Sequence, residues 1–137
     1  MEDLSKLKEL SSLKIESSAI SEIEALGCLE NLKELELRGL GQVKILPDLS
    51  NANKLRRLAL EKCGNLVEIQ GELPQYLEKL KITFCKSLRK LPDLSSLMRL
   101  RDVVIPENLV EIQAELPQQL YELEIDSCES LQELPDL

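Results

Sequence analysis

The thirteen residues from Asn65 to Leu77, NLVEIQGELPQYL, return 43 positions later as NLVEIQAELPQQL, Asn108 to Leu120, with two differences. A second string recurs around these copies: LPDLS at 46–50 and at 91–95, and LPDL at 134–137. Self-similarity at a fixed period is the mark of an array of small units stacked in one dimension, not of a single centralised core. That constraint governs every later inference.

Within the copies lies a shorter unit. Six windows fit the spacing L-x-x-L-x-L with apolar residues at the marked positions: Leu10–Ile15, Leu32–Leu37, Leu55–Leu60, Leu77–Ile82, Leu100–Ile105 and Leu120–Ile125. Their starts are 22, 23, 22, 23 and 20 residues apart. Three residues past each window come Ser18, Leu40, Cys63, Cys85, Asn108 and Cys128. An apolar strand followed by Asn or Cys is the leucine-rich-repeat pattern. The expected fold is an α/β solenoid, a curved right-handed superhelix. Short parallel strands near 10–15, 32–37, 55–60, 77–82, 100–105 and 120–125 line its concave face. Residues 1–137 then form one domain of about six repeats.

The return stretches carry leucines three apart, as in Leu88, Leu91, Leu94 and Leu97, and prolines at Pro47, Pro92 and Pro135. That period is neither 3.6 nor 2, and proline interrupts regular helix, so irregular and 3₁₀ turns are expected on the convex side. Cys63, Cys85, Asn108 and Cys128 are expected to form a structural ladder, with buried thiols offering weak hydrogen bonds. Cys28 lies in a loop and is expected to be one more small buried residue. Asn108 has two readings: it sits on the ladder counting from its strand, yet matches Asn65 in the copied string. Pro106 and the short fifth unit predict a kink or change of curvature at 105–112.

Composition narrows function by exclusion. A formal charge of −8 opposes general binding to nucleic acid or anionic membrane. There is no run of 18 apolar residues and no signal-type start, which favours a cytoplasmic location, with the nucleus as a further option. The chain has no His and no C-x-x-C, so catalytic Ser-His or Cys-His pairs and zinc ligation are not expected. Gly39-Leu40-Gly41 is a fragment of a phosphate-loop pattern without its third glycine or helix, and reads as a tight turn. No enzyme, cofactor or metal is expected.

What remains is a face for binding. The non-leucine strand positions project from the concave side, and the copying leaves them different from unit to unit. Arg38, Arg56, Arg57, Lys79, Lys81, Phe84, Arg101, Tyr121 and Glu124 are the candidate partner-binding residues. Arg38, Arg56, Arg57, Lys62, Lys79 and Lys81 predict a basic centre in an acidic chain, and Glu107, Glu122, Glu124 and Asp126 an acidic end. Complementary charge steers a partner, and aromatic and Arg side chains anchor interfaces.

Leu77–Leu94 and Leu120–Leu137 both satisfy L-x-x-L-x-I-x-x-C-x-S-L-x-x-L-P-D-L. In this the chain resembles the repeat region of plant nucleotide-binding immune receptors that carry a TIR signalling domain. The resemblance implies a protein ligand, either a pathogen effector, a host protein or another domain of the same receptor, together with an autoinhibitory role. Leu73–Ile82 and Leu116–Ile125 also fit the L-P-x-x-L-x-x-L-x-I of bacterial effector repeats. The alternatives are therefore a substrate-recruiting domain of a ubiquitin ligase or bacterial effector, or a spacer that binds nothing. Neither end has a polar capping unit, so self-association through leucine-lined ends is expected.

Overall fold

The computed structural model of the chain describes residues 6–105, 116–117 and 119–125. Each apolar window contains one strand, entered at its third residue: β1 (Ser12–Glu16), β2 (Glu34–Arg38), β4 (Arg57–Glu61), β6 (Lys79–Thr83), β7 (Asp102–Ile105) and β8 (Glu122–Ile125). They form one parallel sheet in the order β1-β2-β4-β6-β7-β8. The register is strict. Leu13, Leu35, Leu58, Leu80, Val103 and Leu123 are successive partners, and so are Ile15, Leu37, Leu60 and Ile82. A parallel pair needs a crossover between its strands, and the 22–23-residue unit supplies one that returns each strand beside its predecessor. The expected leucine-rich-repeat solenoid, with almost no helix, is the fold observed.

Alternation within each strand divides the two faces. In β2 the residues Leu35 and Leu37 are buried while Glu34, Glu36 and Arg38 face out, and β4 repeats this with Leu58 and Leu60. Behind the sheet the three-residue leucine spacing acquires a cause. Leu26, Leu29 and Leu32 each donate a backbone N–H to the carbonyl three residues earlier, and so do Leu55, Leu88, Leu97 and Leu100. Such turns hold three residues per revolution, so side chains at i and i+3 eclipse on one face. Ile23, Leu26, Leu29 and Leu32 are all buried for this reason, as are Leu94, Leu97 and Leu100. The segment Glu24–Cys28 is a 3₁₀ helix.

Cys28 corrects an expectation: it is exposed, not buried. The inward positions of its helix are set by the three-residue period through Leu26 and Leu29, and residue 28 falls between them. A short back sheet also escaped the sequence reading. Its strands β3 (Ile45–Leu46) and β5 (Glu68–Ile69) pair in parallel, extended by Val67 N–H to Lys44 O and Gln70 N–H to Leu46 O.

The LPDLS copies have a shared geometry. Asp48 Oδ1 accepts the Ser50 N–H and Asp93 Oδ1 the Ser95 N–H, both at 2.9 Å, turns of the Asx kind that close the chain after each proline. These Ser95 bonds hold the Asp93 carboxyl below the usual carboxylate range. Asp48 also explains Gly71 (φ +65°), where a Cβ would lie 2.5 Å from the Asp48 Cγ. The copied string carries Ala114 at that place, which lies outside the described residues, as does the expected kink from Pro106 to Ile112.

Immediately after each of the first four sheet strands the backbone turns through the left-handed region: Ser17 (φ 47°), Gly39 (φ 68°), Lys62 (φ 54°) and Phe84 (φ 55°). This turn aims the amide of Ser17, Gly39 and Lys62 at the carbonyl of the next rung, Arg38, Glu61 and Thr83, at 2.8–2.9 Å. Only glycine adopts that conformation without steric cost, and a bulky side chain there is the least favoured case. Gly39→Ala is therefore expected to lower unfolding free energy by about 1–2 kcal/mol. Phe84→Gly, which relieves the same strain at an exposed position, is expected to leave it unchanged or raise it by up to about 1 kcal/mol. Denaturant titration of the two variants beside the parent checks both signs.

Candidate functional site

The candidate residues occupy three adjacent rows instead of one patch. Arg38, Arg57, Lys79, Lys81 and Glu124 lie on the sheet itself, within β2, β4, β6 and β8. Arg56, Arg101 and Tyr121 each sit one residue before a strand, on the flank by which the chain enters the sheet. Phe84 sits on the opposite flank, in the left-handed turn after β6, with 58% of its surface exposed.

Register decides what the charges do. One row across the sheet reads Ser12, Glu34, Arg57, Lys79, Asp102 and Glu122. Arg57 reaches Glu34 at 3.4 Å and Lys79 reaches Asp102 at 3.7 Å. Glu61 serves two cations from two other rungs, Arg38 at 3.8 Å and Lys81 at 3.0 Å. On the entry flank, Arg56 meets Glu78 at 3.5 Å. The basic centre read from the sequence is thus interleaved with carboxylates, and five of its cations already have partners. Each such exposed pair contributes about 0–1 kcal/mol, so the face is organised more than it is stabilised by them. At the acidic end Glu122 and Glu124 are exposed, while Glu107 and Asp126 lie outside the described residues.

The flank has its own order. The residue preceding the first leucine of the second to sixth windows gives the row Asn31, Lys54, Tyr76, Arg99 and Gln119. Lys54 Nζ donates to Asn31 Oδ1 at 2.9 Å, the Arg99 guanidinium lies 4.7 Å from the Tyr76 ring centroid, and Gln119 Nε2 donates to Leu97 O at 2.8 Å. In the neighbouring row the Arg101 guanidinium sits 5.6 Å from the Tyr121 ring. Tyr76, Met98 and Arg99 were not singled out from the sequence. The available signal was their shared repeat position: Tyr76 against Gln119 is one of the two differences between the copied strings.

The ladder is structural where it is described. Leu40 fills it in the second unit and is fully buried. The Cys63 Sγ lies 3.6 Å from Leu37 O and the Cys85 Sγ 3.5 Å from Leu60 O, each thiol facing a carbonyl of the preceding rung. A hydrogen bond with the Cys85 thiol lowers the Cys63 thiol to about 7. Burial acts in the opposite direction, and the backbone at Leu40 and Gly39 adds to the lowering. Asn65 stands two residues past its rung and donates from Nδ2 to Gly41 O at 2.6 Å. Asn108, its copy, and Cys128 lie outside the described residues. Among the described residues no group of three or more His, Cys, Asp or Glu is arranged to hold a metal, and no helix is long and apolar enough to cross a membrane.

No protein-family model matches the chain. Over 74 residues, 53% of its length, it is 35% identical to Disease resistance protein RPS6 of Arabidopsis thaliana. Over 75 residues, again 53% of its length, it is 39% identical to Disease resistance protein RML1A of the same plant. These matches cover 6% and 7% of the relatives, so the chain spans a small part of the curated proteins it resembles. Its relatives are plant disease resistance proteins, in agreement with the resemblance carried by its motifs.

Two measurements test this geometry. Glu61→Gln strips the shared carboxylate from Arg38 and Lys81 and should lower stability by about 1 kcal/mol in dilute buffer. The difference should largely vanish at about 0.5 M salt, where screening shortens electrostatic reach to a few ångströms. For the thiols, access should outweigh acidity, because Cys63 is only 2% exposed. Peptide mass spectrometry after brief alkylation at neutral pH is expected to find Cys28 modified and Cys63 and Cys85 protected until denaturant is added.

Proposed function

We propose that this chain is a protein–protein recognition module from the repeat region of a plant immune receptor, and that it acts by binding, not catalysis. In this reading the outward sheet positions meet a protein ligand, which is a pathogen effector, a host protein or another domain of the same receptor. The same contact holds the receptor inactive until the ligand competes for it. A cytoplasmic setting follows from that role.

One observation carries the reading. The scaffold string is copied almost residue for residue, while the outward positions joined by register, such as Glu34, Arg57, Lys79 and Asp102, carry a different residue at every step and change charge sign at two of the three. Equivalent scaffold positions with dissimilar exposed side chains suit a surface selected for what it touches. Phe84 supports this, since an exposed ring held at φ 55° is disfavoured locally. Backbone strain of this kind gathers at functional sites. The disease-resistance relatives supply the biological context.

The test is charge reversal on the face. Arg57→Glu with Lys79→Glu is compared with the parent chain for proteins crosslinked from Arabidopsis leaf extract, with circular dichroism confirming the fold. Specific proteins retained by the parent and lost at least tenfold by the variant are expected. Identical crosslinking profiles from two folded proteins would remove the sheet face from the recognition surface.

A further inference from the structure

Where the chain enters β6, β7 and β8, the flank opens into a cleft of about 370 Å³ lined by Glu78, Met98, Arg99, Arg101 and Gln119. Both tyrosines of the chain border it through their arginines, Tyr76 under Arg99 and Tyr121 over Arg101. Met98 and Tyr121 are 70% and 81% exposed. A Met and two Tyr rings beside two guanidinium groups is the composition that dominates protein interfaces, and it is assembled here in a chain with very few aromatics.

The pairing of the two arginines separates this cleft from the sheet face. Arg38, Arg56, Arg57, Lys79 and Lys81 each have a carboxylate within 4 Å. Arg99 and Arg101 make no ion pair among the described residues; each guanidinium instead lies over a tyrosine ring, at 4.7 and 5.6 Å from its centroid. A cation–π contact engages the face of a guanidinium while leaving its N–H donors available, and those donors match a carboxylate in bidentate geometry. The carboxylate that lines the cleft, Glu78, is engaged by Arg56 on the preceding rung. The cleft therefore presents a local positive field with apolar walls.

We propose that this cleft docks an acidic segment of a protein partner, with a carboxylate seated between Arg99 and Arg101 and an adjacent aliphatic side chain on Met98 and the tyrosine rings. This assignment rests on the recognition reading above and names a second surface for it. The partner's chemistry follows from the two guanidinium groups, which have no ion pair among the described residues and call for an anion, and from Met98 with the tyrosine rings at the border, which reward an apolar neighbour to that anion. Inorganic phosphate satisfies the first requirement and not the second.

The chain contains no Trp, so its intrinsic emission comes from Tyr76 and Tyr121 alone, both at the cleft. The probe is a nine-residue capped peptide of alternating Glu and Leu, titrated into the full chain at constant ionic strength, with a Gln–Leu peptide as control. A saturable change in tyrosine emission is expected from the Glu–Leu peptide and none from the control. Arg99→Gln and Arg101→Gln should each weaken binding about tenfold, the loss of one charge-assisted contact. The exposed pair Lys44→Glu with Arg89→Glu, away from the cleft, should leave affinity within about twofold, the margin of nonspecific long-range charge.

The proposal is overturned by an absent or unsaturable response, by an equal response to the Gln–Leu peptide, or by equal displacement with inorganic phosphate. It is overturned as well if emission changes with protein concentration alone, since the occupant is then a second copy of the chain. If the peptide fails while charge reversal at Arg57 and Lys79 still costs partners, the recognition reading stands and the cleft assignment falls.

Discussion

Everything in this molecule depends on one parallel register maintained across rungs of nearly equal length. The entry to each strand repeats one bond pattern. Lys33 and Glu34 both donate to Ser11 O, Arg56 and Arg57 to Lys33 O, and Glu78 and Lys79 to Arg56 O. At the exit the left-handed residue donates forward to the next rung. Between these fixed ends, any side chain inherits its place from its position in the unit. A leucine is buried because it falls over the leucine of the rung before it, each contributing about 1.5–3 kcal/mol by burial. No single rung could hold its leucines dry, so stability is a sum of neighbouring interfaces.

That architecture leaves a parallel sheet covered on one face only, an uncommon state for parallel strands, which are usually buried on both. The outward face must then be polar and still tolerate side chains about 4.8 Å apart between strands. Like charges at that spacing repel, and the adjacent cations Arg57 and Lys79 are each offset by a carboxylate on the other side, Glu34 and Asp102. Glu61 is held between Arg38 and Lys81 by the same logic. Charge pairing on this face is a condition of being a one-sided sheet as well as material for recognition. On the flank carrying Arg99 and Arg101, neither guanidinium has an ion pair among the described residues, and each lies over a tyrosine ring instead.

Much of this was legible in the residues. The six windows located the six strands because alternation and a period of 22–23 are properties of the chain alone. The three-residue leucine spacing announced 3₁₀ turns for the same reason. What stayed hidden depends on neighbours a full unit away. Tyr76 and Arg99 are 23 positions apart, and only the stacking makes them a pair. Glu61 reads as one more surface carboxylate until the register sets it diagonally across from Lys81. Cys28 was misjudged because a loop thiol gives no phase, whereas Cys63 and Cys85 inherit theirs from the ladder. The paired β3 and β5 were missed since two residues cannot show alternation.

Phe84 brings these strands of argument together. Its turn is required by the fold, as Ser17, Gly39 and Lys62 show by adopting it on the other rungs. The amide geometry would be met at least as well by glycine, and nothing in the core uses the ring, which stands mostly in solvent. A scaffold that tolerates a bulky residue at its least permissive backbone position has stability in reserve from its leucine column. Such a reserve is what lets exposed positions be chosen for contact instead of for folding. The residues that fit the scaffold least well are therefore the better guide to what the scaffold is for.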